Sequence, residues 1–462
     1  MQTSYTKELE TNLVEEPQLG IRFYEKPSRH IAKNKQTKSA TLNVLSLFSG
    51  CGGMDLGFEG GFSVLSSCVN EILTPQFIDK KIDENYVQLK KTRFKTVFAN
   101  DILTDARNAW VNHFSKRGYD AELFHTDSIV DLVKLHNSGF NVFPENIDIV
   151  TGGFPCQDFS LAGKRNGFES HKNHIGEIIK DDAPSAETRG QLYMWMKQVI
   201  EITKPKIFIA ENVKGLVNLS NVKDVIQKDF SSAGDNGYIV LNPRVLHAAN
   251  YGVPQSRERV IFIGIKKSAL NKEALKELEK EIISDKFNPY PKPTHAYTVE
   301  GEKLKKHVEL KEIFNLLDEP EKTTDLSQRF FSKAKYMGSH CQGQTEIKPT
   351  GIGPTIRSEH HGNIEFRRLS KENGGKIDKE LSKGLQERRL TPRECALIQT
   401  FPPDYDFVIE RKDGRKGTFL VSPSQAYKII GNAVPPLLAY NVAKRIEDVW
   451  DLYFKKNYDN FS

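Results

Sequence analysis

Val44-Leu45-Ser46-Leu47-Phe48-Ser49-Gly50-Cys51-Gly52-Gly53-Met54-Asp55-Leu56-Gly57-Phe58 decides how the rest of the chain is read. An apolar run of strand length meets three glycines, and a helical pattern starts directly after them. Strand, glycine-rich turn and helix make the cradle of a nucleotide-type cofactor, because glycines let backbone N–H groups come close to the ligand. A tight turn with no ligand has the same signature, so the turn needs company.

That company is Ile147-Asp148-Ile149-Val150-Thr151-Gly152-Gly153-Phe154-Pro155-Cys156-Gln157-Asp158-Phe159-Ser160. A β-branched run ends in two glycines, and a cysteine follows on a Pro-anchored loop, where an α/β sheet presents reactive groups at the C-terminal ends of its strands. Pro155 fixes one backbone angle and the glycines permit close approach of backbone to ligand. A free thiol has a pKa of about 8.5, so a modest electropositive environment yields thiolate at neutral pH. Cys156 is the candidate nucleophile; the plainer reading is a buried small hydrophobe.

Length and composition bound the rest. The 462 residues suggest two domains, and 38% apolar with 27% charged content is ordinary for a globular protein. No apolar run approaches the roughly 20 residues of a membrane helix, and the polar start lacks a signal-peptide core, so an intracellular, cytoplasmic protein is expected. Five scattered cysteines without a CxxC pair or a His/Cys cluster predict neither disulfides nor a metal. A net charge of +6 is compatible with a polyanion and proves nothing. Residues 1–40 read as a polar extension.

An acid some 20 positions beyond the glycine turn should hold ribose hydroxyls. Glu71, after Phe62 to Val69, and Asp101, closing the strand-like Phe94 to Asn100 ahead of a helix from Ala106 to Phe114, compete for that role. Glu122 to Asp127 reads as a further short strand ending in an acid suited to a cofactor ring, or else as a helix cap. Residues 163–190 form a long polar loop, followed by a helix from Gln191 to Thr203. Pro205 to Ala210 is a buried-strand pattern ending at Glu211; in a parallel sheet Glu211 and Cys156 would leave the same edge. Desolvation there raises a carboxyl pKa and lets it donate a proton. Ile239 to Leu241 and Arg259 to Ile265 read as paired strands, and alternation puts Gln255, Arg257 and Arg259 on one face, two guanidiniums together.

From about 266 to 385 the composition shifts, opening with a helix from Asn271 to Ile283. Between Arg329 and Arg368 seven Lys/Arg stand against three Asp/Glu with aromatics interleaved, which suits a phosphate-tracking surface. Thr391-Pro392-Arg393-Glu394 starts an N-capped helix, and Ser424 to Trp450 carries Gly431-Asn432-Ala433-Val434 inside a long helical pattern.

Taken together these stretches resemble the DNA (cytosine-5)-methyltransferase family over roughly residues 42–265 and 387–450. Phe48-Ser49-Gly50-Cys51-Gly52-Gly53 is similar to its cofactor turn, Pro155-Cys156-Gln157 to its nucleophile loop and Arg189-Gly190-Gln191-Leu192 to its RG-L element. Glu211-Asn212-Val213, Gln255-x-Arg257-x-Arg259 and Gly431-Asn432-Ala433-Val434 match its acid, arginine and C-terminal elements, all in the family's order. The resemblance favours Asp101 over Glu71, which falls in an insertion at about 70–95.

The resemblance implies a doubly wound, mostly parallel, Rossmann-like α/β sheet binding S-adenosylmethionine (residues 41–265, completed by 386–462), and a smaller target-recognition domain (266–385). Double-stranded DNA would lie between them with the target cytosine flipped out. The implied catalytic set is Cys156, Glu211, Arg257 and Arg259. The implied cofactor set is Phe48, Gly50, Gly53, Asp101, Ile102, Asp127, Gly153, Pro155, Leu192 and Asn432. Gln157 and the dipeptide Thr355-Ile356 with Arg357 are the implied DNA contacts. A monomer, with a companion restriction endonuclease, is expected. A tRNA cytosine-5 methyltransferase of the same fold and a catalytically dead DNA-binding regulator are the alternatives.

Overall fold

A computed structural model describes residues 41–155, 192–218, 222–299, 303–331, 344–358, 364–377, 379–412 and 417–455. Its main elements are β1 (Leu42–Leu47), α1 (Gly53–Glu59), β2 (Phe94–Asn100), α2 (Thr104–Phe114), β3 (Phe124–His125), α3 (Ile129–Asn137) and β4 (Ile149–Gly152). After these come α4 (Leu192–Thr203), β5 (Ile207–Val213), α5 (Val222–Ser231), β6 (Tyr238–Val240), β7 (Arg244–His247) and β8 (Glu258–Lys266), then α6 (Pro392–Ile398), α7 (Pro423–Asn432) and α8 (Pro436–Phe454).

The eight-stranded sheet has the order β7-β8-β5-β4-β1-β2-β3, with β6 also on β8. β1 to β5 run parallel, and β8 returns antiparallel to β5. The fold is therefore a mostly parallel, doubly wound α/β sheet, as expected. Side chains of one strand alternate between two cores: Val44, Ile149, Ile207 and Ile209 face one layer, and Leu45, Leu47, Val150 and Phe208 face the other. Burial on both faces explains why these strands read as continuous apolar runs. The chain leaves β1 toward β2 and β3, then comes back to β4 and β5 on the other side. That reversal opens a crevice at the C-terminal ends of β1 and β4.

α1 is buried along its whole length against α8. A Cβ built on Gly57 would lie 2.4 Å from the Cβ of Ala439 and 2.5 Å from the Pro436 oxygen, so only glycine permits this helix approach. The C-terminal helices thus belong to the first layer. The continuous helix expected from Ser424 to Trp450 is two helices, because Pro435 and Pro436 remove two amide donors and the chain extends at Ala433. The helix expected from Asn271 to Ile283 spans only Lys272–Leu278; beyond it the Glu277 carboxylate accepts the Ser284 amide at 2.9 Å and turns the chain.

The insertion folds as a separate antiparallel sheet of Ser63–Leu65, Tyr86–Leu89 and Ile78–Lys81. Phe62 and Phe77 meet the Tyr440 ring edge-on, fixing this sheet to α8. Further on, a second small sheet joins Gln344–Glu346, Ile364–Arg368 and Arg388–Arg389. Arg388 makes a bidentate pair with Glu394 of α6, both Arg388 contacts being 2.9 Å, and Glu319 takes Arg368 and Arg388 together. Arg367 and Arg368 also hold Glu380. This corrects the charge count made above: two of the seven basic residues between Arg329 and Arg368 are internal ion-pair partners, neutralised by acids outside the counted stretch, and offer little to a phosphate.

Candidate active site

β1 delivers the glycine turn to the crevice. Phe48 adopts a positive φ of 52°, which a non-glycine residue seldom holds, and Gly50 follows at 54°. A Cβ at Gly50 would meet nothing within 4 Å, so the turn's outer side is open. The other glycines serve packing: a Cβ on Gly53 would lie 2.2 Å from the Val434 oxygen, and one on Gly52 would enter the Trp110 ring. Tyr405 donates to the Cys51 carbonyl, and the buried Asp55 accepts Ser46 Oγ and Trp110 Nε1 (2.8 Å). Burial raises the Asp55 carboxyl to about 7.

Asp101, immediately after β2, accepts the Gly50 amide at 3.0 Å and the Leu103 amide at 2.9 Å. Desolvation raises its pKa and these two amides oppose the rise. Ile102 beside it is exposed, and Asp127 follows β3, its backbone oxygen accepting Asn100 Nδ2 at 2.8 Å. Glu71 sits exposed in a turn of the insertion.

β4 and β5 are adjacent, parallel and in register, Gly152 opposite Ala210. The condition stated for Glu211 and the Cys156 loop to share an edge therefore holds for their strands. Cys156 and Gln157 lie outside the described residues; the approach to them is described as far as Pro155. Asn212 Nδ2 donates to the Phe154 oxygen at 3.2 Å and pins the chain two residues before the cysteine. Gly153 leaves room for the acid: a Cβ there would sit 2.8 Å from Glu211 Oε2. Glu211 is 8% exposed and its Oε1 pairs with Arg259 Nε at 2.7 Å. Burial pushes the Glu211 carboxyl above its ordinary range, and Arg259 and Arg257 hold part of that shift back.

The two guanidiniums differ in their hydrogen-bond partners. Arg259 serves Glu211, whereas Arg257, fully buried, donates to the carbonyls of Ile356 (2.9 Å), Gly431 (2.9 Å) and Ala433 (2.8 Å). Thr355 Oγ1 donates to the Ser256 carbonyl, Ile356 is 2% exposed, and Arg357 is exposed. A Cβ on Gly431 would lie 2.3 Å from the Arg357 carbonyl carbon, so that glycine serves contact between α7 and this segment. Asn432 is exposed at the end of α7, and Leu192 is buried at the start of α4.

Sequence reasoning passed over Asp55, Tyr405 and Gln399, which support the turn and the arginine strand. Only Asp55 carried a signal, an acid inside an otherwise apolar helix start. Among the described residues no group of His, Cys, Asp and Glu is arranged to hold a metal, and no helix is long and apolar enough to cross a membrane.

A family model described as C-5 cytosine-specific DNA methylase matches residues 42–448. The chain is 31% identical over 426 residues to the type II methyltransferase M.BsuRI of Bacillus subtilis, covering 91% of this chain and 82% of the relative. It is 32% identical over 435 residues to M.BspRI of Lysinibacillus sphaericus, covering 92% and 85%. Among solved structures, a DNMT2 variant of Spodoptera frugiperda aligns with a TM-score of 0.50 at 18% identity, covering 88% of this chain and 99% of that one. The Entamoeba histolytica methyltransferase EhMeth aligns with a TM-score of 0.50 at 16% identity, covering 89% and 99%. These two likenesses bear on the fold alone.

Proposed function

Since the chain belongs to the C-5 cytosine-specific DNA methylase family, a family of DNA (cytosine-5)-methyltransferases that use S-adenosylmethionine, we propose that its chemistry runs through Cys156 and Glu211. The observation that carries this reading is the Glu211 carboxyl, paired with Arg259 and set directly on the backbone that leads to Cys156.

The cytosine is unreachable inside a duplex and would be flipped into the crevice. The Cys156 thiolate bonds to ring carbon 6, breaking the carbon 5–carbon 6 double bond and making carbon 5 nucleophilic. Glu211 supplies a proton to ring nitrogen 3 as charge develops there, and Arg259 keeps the acid oriented. Once carbon 5 is methylated, loss of its proton to water expels the thiolate, and return of the nitrogen 3 proton to Glu211 restores the neutral ring and the acid. Gln157 and Arg357 would contact the DNA, with Thr355 and Ile356 placing Arg357, and target recognition would lie in residues 266–385.

The crevice fits the cofactor: an open, positive-φ Gly50, the Asp101 carboxylate on its amide and the exposed Ile102 lie along one edge. S-adenosylmethionine brings a methyl group activated on a sulfonium. Asp101 would accept the ribose hydroxyls and Ile102 would cover the adenine, with Asp127 at its polar edge. Phe48, Gly50, Gly153 and Pro155 would enclose the amino-acid end, flanked by Gly53, Leu192 and Asn432.

The relatives' names further suggest a role in restriction-modification, with methylation protecting one DNA sequence from a companion endonuclease. Two experiments test the proposal. DNA containing 5-fluorocytosine should trap the wild-type protein covalently through Cys156, since fluorine cannot leave as a proton, and Cys156→Ala should abolish transfer while still binding cofactor. A trap on another cysteine refutes the assignment. Methylation mapping of DNA from cells expressing the protein should show one modified sequence resistant to cleavage.

A further inference from the structure

Between the arginine strand and the segment Gly353–Arg357 lies a relay of side-chain amides with one direction throughout. The Ile356 amide donates to Gln255 Oε1 at 3.0 Å, Gln255 Nε2 donates to Gln399 Oε1 at 2.9 Å, and Gln399 Nε2 donates to the Ile430 carbonyl at 2.8 Å. Both glutamines are fully buried. Each must accept on one side and donate on the other, which an amide does and neither a carboxylate nor a hydrocarbon can. The next peptide group is held as well, since Arg257 Nη1 donates to the Ile356 carbonyl. Backbone bonds close the contact on either side: Ser256 donates to the Gly353 carbonyl at 2.7 Å, and Gly353 donates to the Pro254 carbonyl at 2.9 Å.

We propose that Gln255 and Gln399 are positioning residues that lock the segment Gly353–Arg357 in register with the strand carrying Arg259, so that seating this segment on DNA sets the place of Glu211. The inference rests on the acid role proposed for Glu211. The route is short: Arg259 is two residues beyond Arg257 along the chain, at the start of β8, and its Nε is 2.7 Å from the Glu211 carboxylate. A buried amide left without a partner is costly, so loss of the relay shifts the segment rather than leaving it in place.

The test uses full-length protein and a duplex carrying the mapped target. Gln399→Met keeps the side-chain length and removes its side-chain hydrogen bonds to Gln255, Ile430 and Ala433. Single-turnover methyl transfer should slow by roughly tenfold or more, with cofactor affinity unchanged. The double change Gln255→Met with Gln399→Met should be no slower than the worse single, because one relay is cut only once. Gln399→Glu supplies a reading that folding alone does not move. Its protonated carboxyl still donates to Ile430 and its ionised form does not, so its rate relative to wild type should fall as pH rises.

Wild-type rates in Gln399→Met overturn the inference. If Gln399→Met fails to melt cooperatively, the Gln399→Glu profile decides, and a ratio to the wild-type rate that does not change with pH overturns it. In a Glu211→Gln background, Gln399→Met should add no further slowing. Equal slowing in both backgrounds overturns the route through Glu211 while leaving the acid's own role intact, whereas wild-type turnover in Glu211→Gln alone removes the acid role itself.

Discussion

Replacing Glu211 with Gln separates two functions of one carboxylate. The pair with Arg259 is short, 2.7 Å, and its side chains are only 10% and 12% exposed, so solvent screens it weakly. Removing one partner of a buried pair costs about 3–5 kcal/mol because the other charge is left uncompensated. Gln still offers an oxygen to Arg259 Nε, which places the expected loss near the lower end, about 3 kcal/mol. Turnover should fall by roughly 10²–10⁴-fold for a lost general acid. Adding Arg259→Met removes the orphaned charge, and stability should recover toward wild type while turnover does not. Urea denaturation gives the first quantity, and transfer of radiolabelled methyl groups under saturating cofactor gives the second. Recovery of turnover in the double variant would mean that Glu211 serves only to neutralise Arg259, and the acid assignment would fall.

Other perturbations probe the rest of the site. Asp101→Ala should raise the cofactor dissociation constant while Glu71→Ala leaves it unchanged, as read by equilibrium dialysis; the opposite result would move the ribose site into the insertion. Asp55 has a folded pKa of about 7 against 3.8 in the unfolded chain, so over that window the folded state holds the extra proton and stability should fall as pH rises. Asp55→Asn, which can still accept from Trp110 and donate to Ser46, should lack that slope in denaturation curves at pH 5 and pH 8. Gly57→Ala forces a methyl group to within 2.4 Å of Ala439, an overpacking cost of about 1–3 kcal/mol against a helix-propensity gain of about 1 kcal/mol. A net loss of stability is expected, and a stabilised Gly57→Ala protein would show that α1 and α8 can part freely.

Much of this was legible in the order of residues. Buried parallel strands must be apolar on both faces, so β1, β4 and β5 announced themselves, and a sheet that is parallel there has to bring Glu211 beside the strand that leads to Cys156. What depended on distant partners was hidden. Gln399 looks like an ordinary polar residue at a helix end; its partners are 144 and 31 positions away. Arg367 and Arg368 read as a basic surface until Glu319 and Glu380 are found against them. Alternation put Arg257 and Arg259 on one face, and only Arg259 lies within β8; the pattern could not reveal that α7 would fill the space before one guanidinium and leave the other facing an acid.

The close fit of Gly53 and Gly57 against Val434, Pro436 and Ala439 also dictates when this protein becomes an enzyme. The surface that completes α1, and with it the turn at the head of the crevice, is encoded some 380 residues later in the chain. At ordinary translation rates that interval is roughly 20–75 s. During that time the nascent sheet carries an uncovered apolar helix, a liability for aggregation and a natural client surface for chaperones. A ribosome-bound fragment therefore has the strands of the chemistry but not the backing of its cofactor turn, and DNA modification has to await the synthesis of the final helix.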